Sequence, residues 1–117
     1  GVDISKYAIE NSKKEIRKYL QVANANNLPY SDNSFDLVIS INTIHNLDIK
    51  NCEVALNEIE RVSKKYSYVT VDAFTNEDEK KRLYDWNLTA KTIMSDSEWI
   101  NFFNKANYSG DYFWFIP

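Results

Sequence analysis

The stretch Phe35–Ile41 reads FDLVISI and decides the class of fold. It is apolar almost throughout, with β-branched residues at its centre, and it lacks the strict polar alternation of a strand that faces water on one side. A run of this length bounded by polar loops is typical of a strand in a parallel sheet. We therefore expect a buried strand here, with helices on both faces of the sheet.

Strand and helix patterns alternate outward from this run. Upstream, strand patterns at 1–4 and 20–23 flank one helical stretch, with Ser5 as its N-cap. Downstream, a helical face over 52–62 precedes a β-branched and aromatic strand at 66–74. This alternation predicts an open, mostly parallel α/β sheet with right-handed crossovers.

The remaining residues predict two more helices and a last strand. Thr75 with Asp78 resembles a capping box, and Ser95 with Glu98 is a complete one. The second helix is expected to turn four residues inward, and a strand is expected at 112–116. The four inward residues are Trp99, Ile100, Phe103 and Ala106.

Composition limits the classes of function. The 117 residues suit one domain, and 14 basic against 17 acidic residues leave a net charge of −3, so a nucleic-acid partner is not expected. One cysteine and one histidine make neither a disulfide nor a Cys/His zinc site, and we expect no metal. No apolar run approaches the ~20 residues that span a bilayer. These features favour a cytoplasmic protein without a membrane segment.

Two polar residues end predicted strands, where ligands bind in doubly wound sheets. Asp3 could accept hydrogen bonds from a ribose diol, or it could simply be an aspartate favoured by the helix dipole. Asn24 could read the edge of an adenine, or it could be a turn residue. The residues alone leave both pairs of readings open.

Four short motifs occur in a fixed order along the chain. They are Gly1-Val2-Asp3-Ile4-Ser5, Leu28-Pro29-Tyr30, Ser34-Phe35-Asp36-Leu37-Val38-Ile39-Ser40 and Ile44-His45-Asn46-Leu47. This series resembles the class I S-adenosylmethionine-dependent methyltransferases, especially those acting on small molecules. The resemblance covers residues 1–65 well, and the remainder agrees in element order.

The resemblance implies a Rossmann-like three-layer sandwich and a set of residues that hold S-adenosylmethionine. Asp3 would bind the ribose hydroxyls and Ile4 would pack against the adenine. Asn24 stands where the family usually has an aspartate for the adenine amino group, and Ala25 would offer its backbone N–H to the ring. Two further residues would lie beside the methionine part of the cofactor; these are Ile41 and Asn42.

One departure from the family is large. Its glycine-rich cofactor loop follows a first strand, whereas this chain has only Gly1 and Gly110, neither of them in such a loop. We therefore expect a partial methyltransferase domain over 1–117 that lacks the first strand and its helix and is inactive on its own. Without that strand, the strand at Gly1 and the FDLVISI strand would lose their shared neighbour.

His45 and the region after residue 74 are the candidates for chemistry on the methyl acceptor, which the resemblance implies is a small molecule. His45 could act as a general base, or it could shape the pocket or cap a helix. Tyr84 and Trp86 could face the acceptor or serve packing. Cys52 lies on the apolar face of its helix and is expected in the core.

Two alternatives belong to other classes. A nicotinamide-dependent oxidoreductase fragment also carries an acid like Asp3, but the LPY and HNL segments favour the methyltransferase. The second alternative is a non-enzymatic domain that self-associates through exposed sheet edges and so forms a homo-oligomer.

Overall fold

The computed structural model describes residues 1–116, whose strands form two separate parallel sheets. The strands are β1 (Val2–Asp3), β2 (Gln21–Val22), β3 (Phe35–Ile41), β4 (Ser63–Phe74), β5 (Met94–Ser95) and β6 (Asp111–Phe115). The helices are α1 (Lys6–Glu10), α2 (Lys14–Arg17), α3 (Ile49–Val62), α4 (Glu77–Trp86) and α5 (Asp96–Lys105), with a 3₁₀ turn at Ile44–Asn46.

Strand β4 is the centre of the larger sheet. It pairs in parallel with β3 on one side and with β6 on the other, and residues 68–70 pair with both neighbours at once. The short strand β5 pairs with the carboxyl end of β4. The mostly parallel α/β fold predicted from the sequence is confirmed, and the FDLVISI strand has the predicted bounds.

One face of this sheet packs against α3 and α5. Alternate residues of β4 point to that face and are fully buried, as expected for a strand whose side chains alternate between faces. The core joins them to the apolar stripe of α3, which includes Cys52 as predicted, and to the aromatic residues of α5. The fully buried members are Ile44, Cys52, Ala55, Leu56, Val69, Val71, Ala73 and Trp99.

The other face of the sheet is covered only in part. Helix α4 reaches it at the carboxyl end, where Trp86 packs on Phe115 with ring centroids 5.7 Å apart. On β3, the side chains of Leu37, Ile39 and Ile41 remain 58, 62 and 52% exposed. The expectation that helices cover both faces of β3 is therefore wrong for residues 1–116.

Strands β1 and β2 form a two-stranded sheet that is not joined to β3. This agrees with the expectation that the strand at Gly1 and the FDLVISI strand lack a shared neighbour. Among residues 1–116, β1 in the smaller sheet and β3 in the larger sheet each have an unpaired edge.

Three helix predictions need correction. The single helix expected after Ser5 is two helices. Helix α1 is terminated by its C-cap Asn11, and Ser12 Oγ donates to the Ile9 carbonyl in the turn that precedes α2. Helix α4 is capped by Asn76, which accepts the Glu79 N–H, and not by Thr75. In α5, Ile100 is exposed and Phe102 takes the inward position.

The two other caps are as predicted. The Ser5 hydroxyl accepts the Ala8 N–H, and Ser95 with Glu98 forms a reciprocal capping box. No helix within residues 1–116 has the length and apolarity needed to cross a membrane.

Candidate functional site

The carboxyl ends of the first four strands carry polar residues, and we call this end of the two sheets the carboxyl edge. Asp3 ends β1, Asn24 follows β2, Asn42 follows β3, and Asp72 lies near the end of β4. Because the paired strands run parallel, their carboxyl ends meet at one side of each sheet.

Asp3 and Asn24 lie on neighbouring strands. The Asp3 carbonyl accepts the Ala23 N–H at 3.0 Å, which places the start of the Asn24 loop beside the Asp3 backbone. Asp3 Oδ1 accepts the Ser5 N–H at 2.8 Å, so the carboxylate is oriented while it stays exposed. Its Oδ2 has no partner among residues 1–116 and is open to a ligand.

Asn24 shapes the loop in which it lies. Its Oδ1 accepts the Asn26 N–H at 3.1 Å, and its carbonyl accepts the Asn27 N–H at 3.0 Å, which forms a tight turn around Ala25. The side-chain oxygen therefore keeps one lone pair for a ligand. Ala25 is half-buried and packs on the core.

The same loop is tied to α3 by two charged residues that the sequence did not suggest. Arg61 donates to the carbonyls of Leu28 and Tyr30 at 3.1 and 2.7 Å, and also to the carboxylate of Glu58. Glu58 in turn accepts the Leu28 N–H at 2.8 Å. The carboxylate of Glu58, and after it that of Asp32, holds the pKa of Arg61 above its usual range, and the hydrogen bond from Arg61 lowers the pKa of Glu58.

Asn42 turns the chain out of β3. Its φ of 47° lies in the left-handed region, which asparagine tolerates better than most residues. Its Oδ1 accepts a hydrogen bond from Thr70 Oγ1 at 2.7 Å, so β4 fixes the side chain. Ile41, before it, and Ile4, beyond β1, are both exposed at the carboxyl edge.

His45 and Asp72 form a buried pair, at 3 and 4% exposure. The Asp72 N–H donates to His45 Nδ1 at 3.1 Å, so a neutral ring carries its proton on Nε2. That nitrogen lies 3.6 Å from Asp72 Oδ2, too far for a good hydrogen bond. Asp72 Oδ1 is buried without any hydrogen-bond partner among residues 1–116.

Burial moves both groups of this pair toward their neutral forms. It lowers the pKa of His45, with the Asp72 charge opposing the shift. It raises the pKa of Asp72, with His45 opposing. A buried polar atom without a partner generally costs about 1–3 kcal/mol of stability. Such a group needs an explanation, and a ligand is one.

A cavity of about 270 Å³ adjoins this pair, and we call it the Asp72 cavity. It also contacts the cofactor candidate Asn42, and α4 and the following loop form its far wall. Its lining residues are Asn42, His45, Asp72, Trp86, Asn87, Leu88 and Thr89. Trp86 lines the cavity and Tyr84 does not, although the two side chains are similarly exposed.

A larger cleft, of about 390 Å³, lies at the opposite ends of the strands. It is lined by the starts of β4 and β6 and by Glu60. The Glu60 carboxylate already accepts the Ser109 N–H at 2.8 Å and the Ser109 hydroxyl. Ligands of parallel α/β sheets bind at the carboxyl ends, so the smaller Asp72 cavity is the better candidate.

Asp72 is the functional candidate that the sequence analysis overlooked. The signal was an acid within the otherwise apolar and β-branched run of β4. The run by itself predicts only a strand. Its partner His45 was singled out, but 27 positions separate the two residues and only the β3–β4 pairing brings them together.

The fold and site define the class of protein: a parallel α/β domain with an acid, an amide and a cavity at the carboxyl edge, as in nucleotide-binding sheets. A methyltransferase-domain family model matches residues 1–71. The chain therefore belongs to this family, the class I S-adenosylmethionine-dependent methyltransferases. This favours the methyltransferase over the oxidoreductase alternative.

Solved structures support the same assignment. An S-adenosylmethionine-dependent methyltransferase from Thermotoga maritima, described as a possible histamine N-methyltransferase, is 29% identical with a TM-score of 0.66. The match covers 91% of this chain and 53% of that one. A search of curated proteins gives no significant match.

Two more distant structures show the fold alone. One is a chain of the complex between the Haloferax volcanii Trm112 methyltransferase activator and a methyltransferase. It is 23% identical with a TM-score of 0.69, and the match covers 91% of this chain and 48% of that one. The other is described as a methyltransferase from Bacillus halodurans and is 17% identical with a TM-score of 0.68. That match covers 90% of this chain and 50% of the other chain. The chain spans about half the length of the structures it matches.

Replacing Asp72 by asparagine is expected to raise the melting temperature at neutral pH. The folded pKa of Asp72 lies above its ordinary value of 3.8, so the native state binds this proton more tightly than the unfolded state. The wild type therefore loses stability as the pH rises from 3.8 through the folded pKa, whereas Asp72→Asn does not.

Thermal unfolding of both proteins between pH 4 and pH 8 measures this effect. The advantage of Asp72→Asn should grow with pH. Asp85→Asn, which changes an exposed carboxylate of α4, is the matched control and should leave the melting temperature nearly unchanged. A lower melting temperature for Asp72→Asn at every pH would show that the carboxylate is well satisfied in the fold.

Proposed function

We propose that the carboxyl edge is one part of an active site that transfers a methyl group from S-adenosylmethionine to a small-molecule acceptor. The observation that carries the proposal is that Asp3 and Asn24 lie on adjacent strand ends, while Asn42 borders the Asp72 cavity. In this proposal the nucleoside would lie at the ends of β1 and β2, and the second molecule would lie in the Asp72 cavity at the ends of β3 and β4. The family match to residues 1–71 supports it.

The residues present fit the adenosine part of the cofactor. The Asp3 carboxylate has one oxygen oriented by the Ser5 N–H and one open, which suits a ribose diol. Asn24 would meet the adenine amino group through the remaining lone pair of Oδ1, and Ala25 would offer its backbone N–H. The exposed side chain of Ile4 would cover the adenine.

Ile41 and Asn42 would lie beside the methionine part of the cofactor. The Thr70 hydroxyl donates to the Asn42 amide oxygen and so fixes this side chain, whose NH₂ group and remaining oxygen lone pair would be available to a ligand. When bound, the cofactor supplies an electrophilic methyl group. The protein mainly aligns an acceptor with it, since proximity and orientation account for much of such catalysis.

His45 has a positioning role in this proposal. Its Nδ1 accepts a hydrogen bond from the Asp72 backbone and its Nε2 carries the proton, so the neutral ring offers no free lone pair to an acceptor. The ring instead directs its Nε2–H toward Asp72 Oδ2. The general-base reading of His45 would require the ring to leave this arrangement.

Residues 1–117 are proposed to be inactive alone, because the only glycines, Gly1 and Gly110, do not form a cofactor loop. A cytoplasmic setting is part of the proposal. It rests on the single thiol of Cys52, which is buried and whose pKa burial raises to about 12.

Calorimetric titration of S-adenosylhomocysteine tests the cofactor site. Two proteins are compared: residues 1–117, and an extended form in which a β-strand and a glycine-rich turn precede Gly1. We expect binding by the extended form and none, or far weaker binding, by residues 1–117. In the extended form, Asp3→Ala should weaken binding roughly 10- to 100-fold, since hydrogen bonds to a charged group contribute about 1.5–3 kcal/mol.

Asp36→Ala is the matched control for that titration. Asp36 lies at the amino end of β3, and its side chain is exposed beside Lys65. It should leave the affinity unchanged. The assignment of Asp3 would be refuted if both variants lost the same amount of affinity for S-adenosylhomocysteine. It would also be refuted if the extended form bound NAD more tightly than S-adenosylhomocysteine.

A second candidate function is self-association through the larger sheet. In the described part of the chain, the outer edge of β3 is unpaired and apolar side chains on its uncovered face are exposed, a combination that invites pairing with another chain. We infer that two copies of residues 1–117 associate through this strand.

Analytical ultracentrifugation tests the association. A concentration-dependent dimer is expected, and Ile39→Lys should shift it to monomer because the charge would be buried at the contact. Ile49→Lys, at an exposed position at the start of α3, should leave the dimer intact. A wild type that stays monomeric at the highest accessible concentration would rule out the pairing.

A further inference from the structure

The unpartnered Asp72 oxygen is the feature of this fold that the cofactor site does not explain. The residue is buried, its Oδ1 meets no donor among residues 1–116, and its Oδ2 has only the distant Nε2–H of His45. The backbone of the same residue is fully used, since its N–H donates to His45 and its carbonyl accepts from Trp99 Nε1 at 3.0 Å. The backbone is thus held firmly, while the carboxylate lacks donors.

The missing donor would come from the Asp72 cavity, because Asp72 and His45 line one side of it. The far wall is a loop that other contacts hold in place. The His45 carbonyl accepts the N–H groups of Lys91 and Thr92 at 3.0 Å each, and Thr89 Oγ1 donates to Asn46 Oδ1 at 2.8 Å. The cavity is therefore a built feature and not a gap between unconnected surfaces.

The remaining lining residues determine what the cavity can hold. Trp86 and Leu88 give it an apolar and aromatic wall, and an indole face attracts cations. Its lining residues include no lysine or arginine, and burial keeps His45 neutral. A carboxylate or phosphate would meet Asp72 without a compensating positive charge, so an anionic molecule is disfavoured.

We propose that the Asp72 cavity binds the methyl acceptor and that this acceptor is a small aliphatic or arylalkyl amine, held by its ammonium group between Asp72 and Trp86. The inference rests on the proposed function for the methyl transfer, but the binding of the amine does not require it. A volume of about 270 Å³ lies just below the usual range of about 300–1,000 Å³ for ligand sites, which suits one ring with a short chain.

The chemistry of an amine acceptor gives Asp72 a second role. The ammonium first transfers a proton to the Asp72 carboxylate, which frees the nitrogen lone pair. That lone pair forms the new bond to the methyl carbon, the carbon–sulfur bond breaks, and its electron pair stays on sulfur. The product would be a protonated N-methylamine, the positive charge would pass from sulfur to nitrogen, and the proton taken by Asp72 would leave to solvent before the next turnover.

The raised pKa of Asp72 suits this step, since a more basic carboxylate takes the proton of an ammonium more readily. The neighbouring His45 Nε2–H would stabilise the carboxylate between turnovers. His45 would thus act through Asp72 as a positioning residue, in agreement with the tautomer that the Asp72 N–H imposes.

Ligand binding to residues 1–117 without cofactor tests the inference. The probes are 2-phenylethylamine, the isosteric neutral 2-phenylethanol and the anionic 3-phenylpropionate, each titrated at pH 7 and followed by ¹⁵N-resolved NMR. We expect the amine to bind at least tenfold more tightly than the alcohol, with shifts at the amides of Asp72, Asn87 and Thr89. The carboxylate should not bind.

Three variants make the result specific. Asp72→Asn should abolish the preference for the amine over the alcohol, and its folding is verified by its melting temperature. Trp86→Leu should reduce amine affinity several-fold while retaining an apolar wall. Asp85→Asn, which removes an exposed carboxylate next to Trp86, should retain the full preference and so excludes a general effect of charge.

The outcomes separate this inference from the proposed function. Equal binding of amine and alcohol by the wild type, or an undiminished preference in Asp72→Asn, would overturn the inference even if S-adenosylhomocysteine binds the extended form. If residues 1–117 bind the amine selectively but the extended form does not bind S-adenosylhomocysteine, the amine site is supported and the proposed methyltransferase function is refuted.

Discussion

The parallel pairing of β4 with β3 and β6 is the constraint on which the rest of the structure depends. Hydrogen bonds on both edges of β4 place the ends of three strands at one side, and the contact of Thr70 with Asn42 fixes where β3 turns away. The same pairing brings the 3₁₀ turn against β4, so that His45 meets the Asp72 backbone. Strand pairing therefore sets the positions of these groups, and hydrogen bonds such as that from Thr70 Oγ1 to Asn42 Oδ1 fix their side chains.

Asp72 shows how stability and function oppose each other within this arrangement. A carboxylate buried beside a neutral histidine, with one oxygen lacking a donor, destabilises the native state. Core residues on the opposite face of β4, Val69, Val71 and Ala73, are fully buried and offset such a cost through apolar packing. A buried carboxylate without a full set of donors on one face of a strand, and a close-packed core on the other, is the arrangement expected where a protein retains a binding site at the expense of stability.

The sequence predicted what local pattern and spacing determine. FDLVISI, the stripe of α3 and the Ser95–Glu98 box each follow from residues within a few positions of one another, and all three are present. The partner of His45 could not be predicted, because it depends on the register between β3 and β4. The hydrogen bonds from Arg61 to the Leu28 and Tyr30 carbonyls could not be predicted either, because they join residues more than 30 positions apart. The uncovered face of β3 was missed because an apolar strand has the same sequence whether or not a layer covers it.

The central claim is that the carboxyl edge, and not the cleft beside Glu60, holds the cofactor. Amide chemical shifts of the ¹⁵N-labelled extended form, recorded with and without S-adenosylhomocysteine, test it most directly. The account predicts that the largest changes fall on Asp3, Ala25 and Asn42, at the ends of three different strands. Changes centred on Ser67 and Gly110, at the opposite ends of the strands, would contradict it.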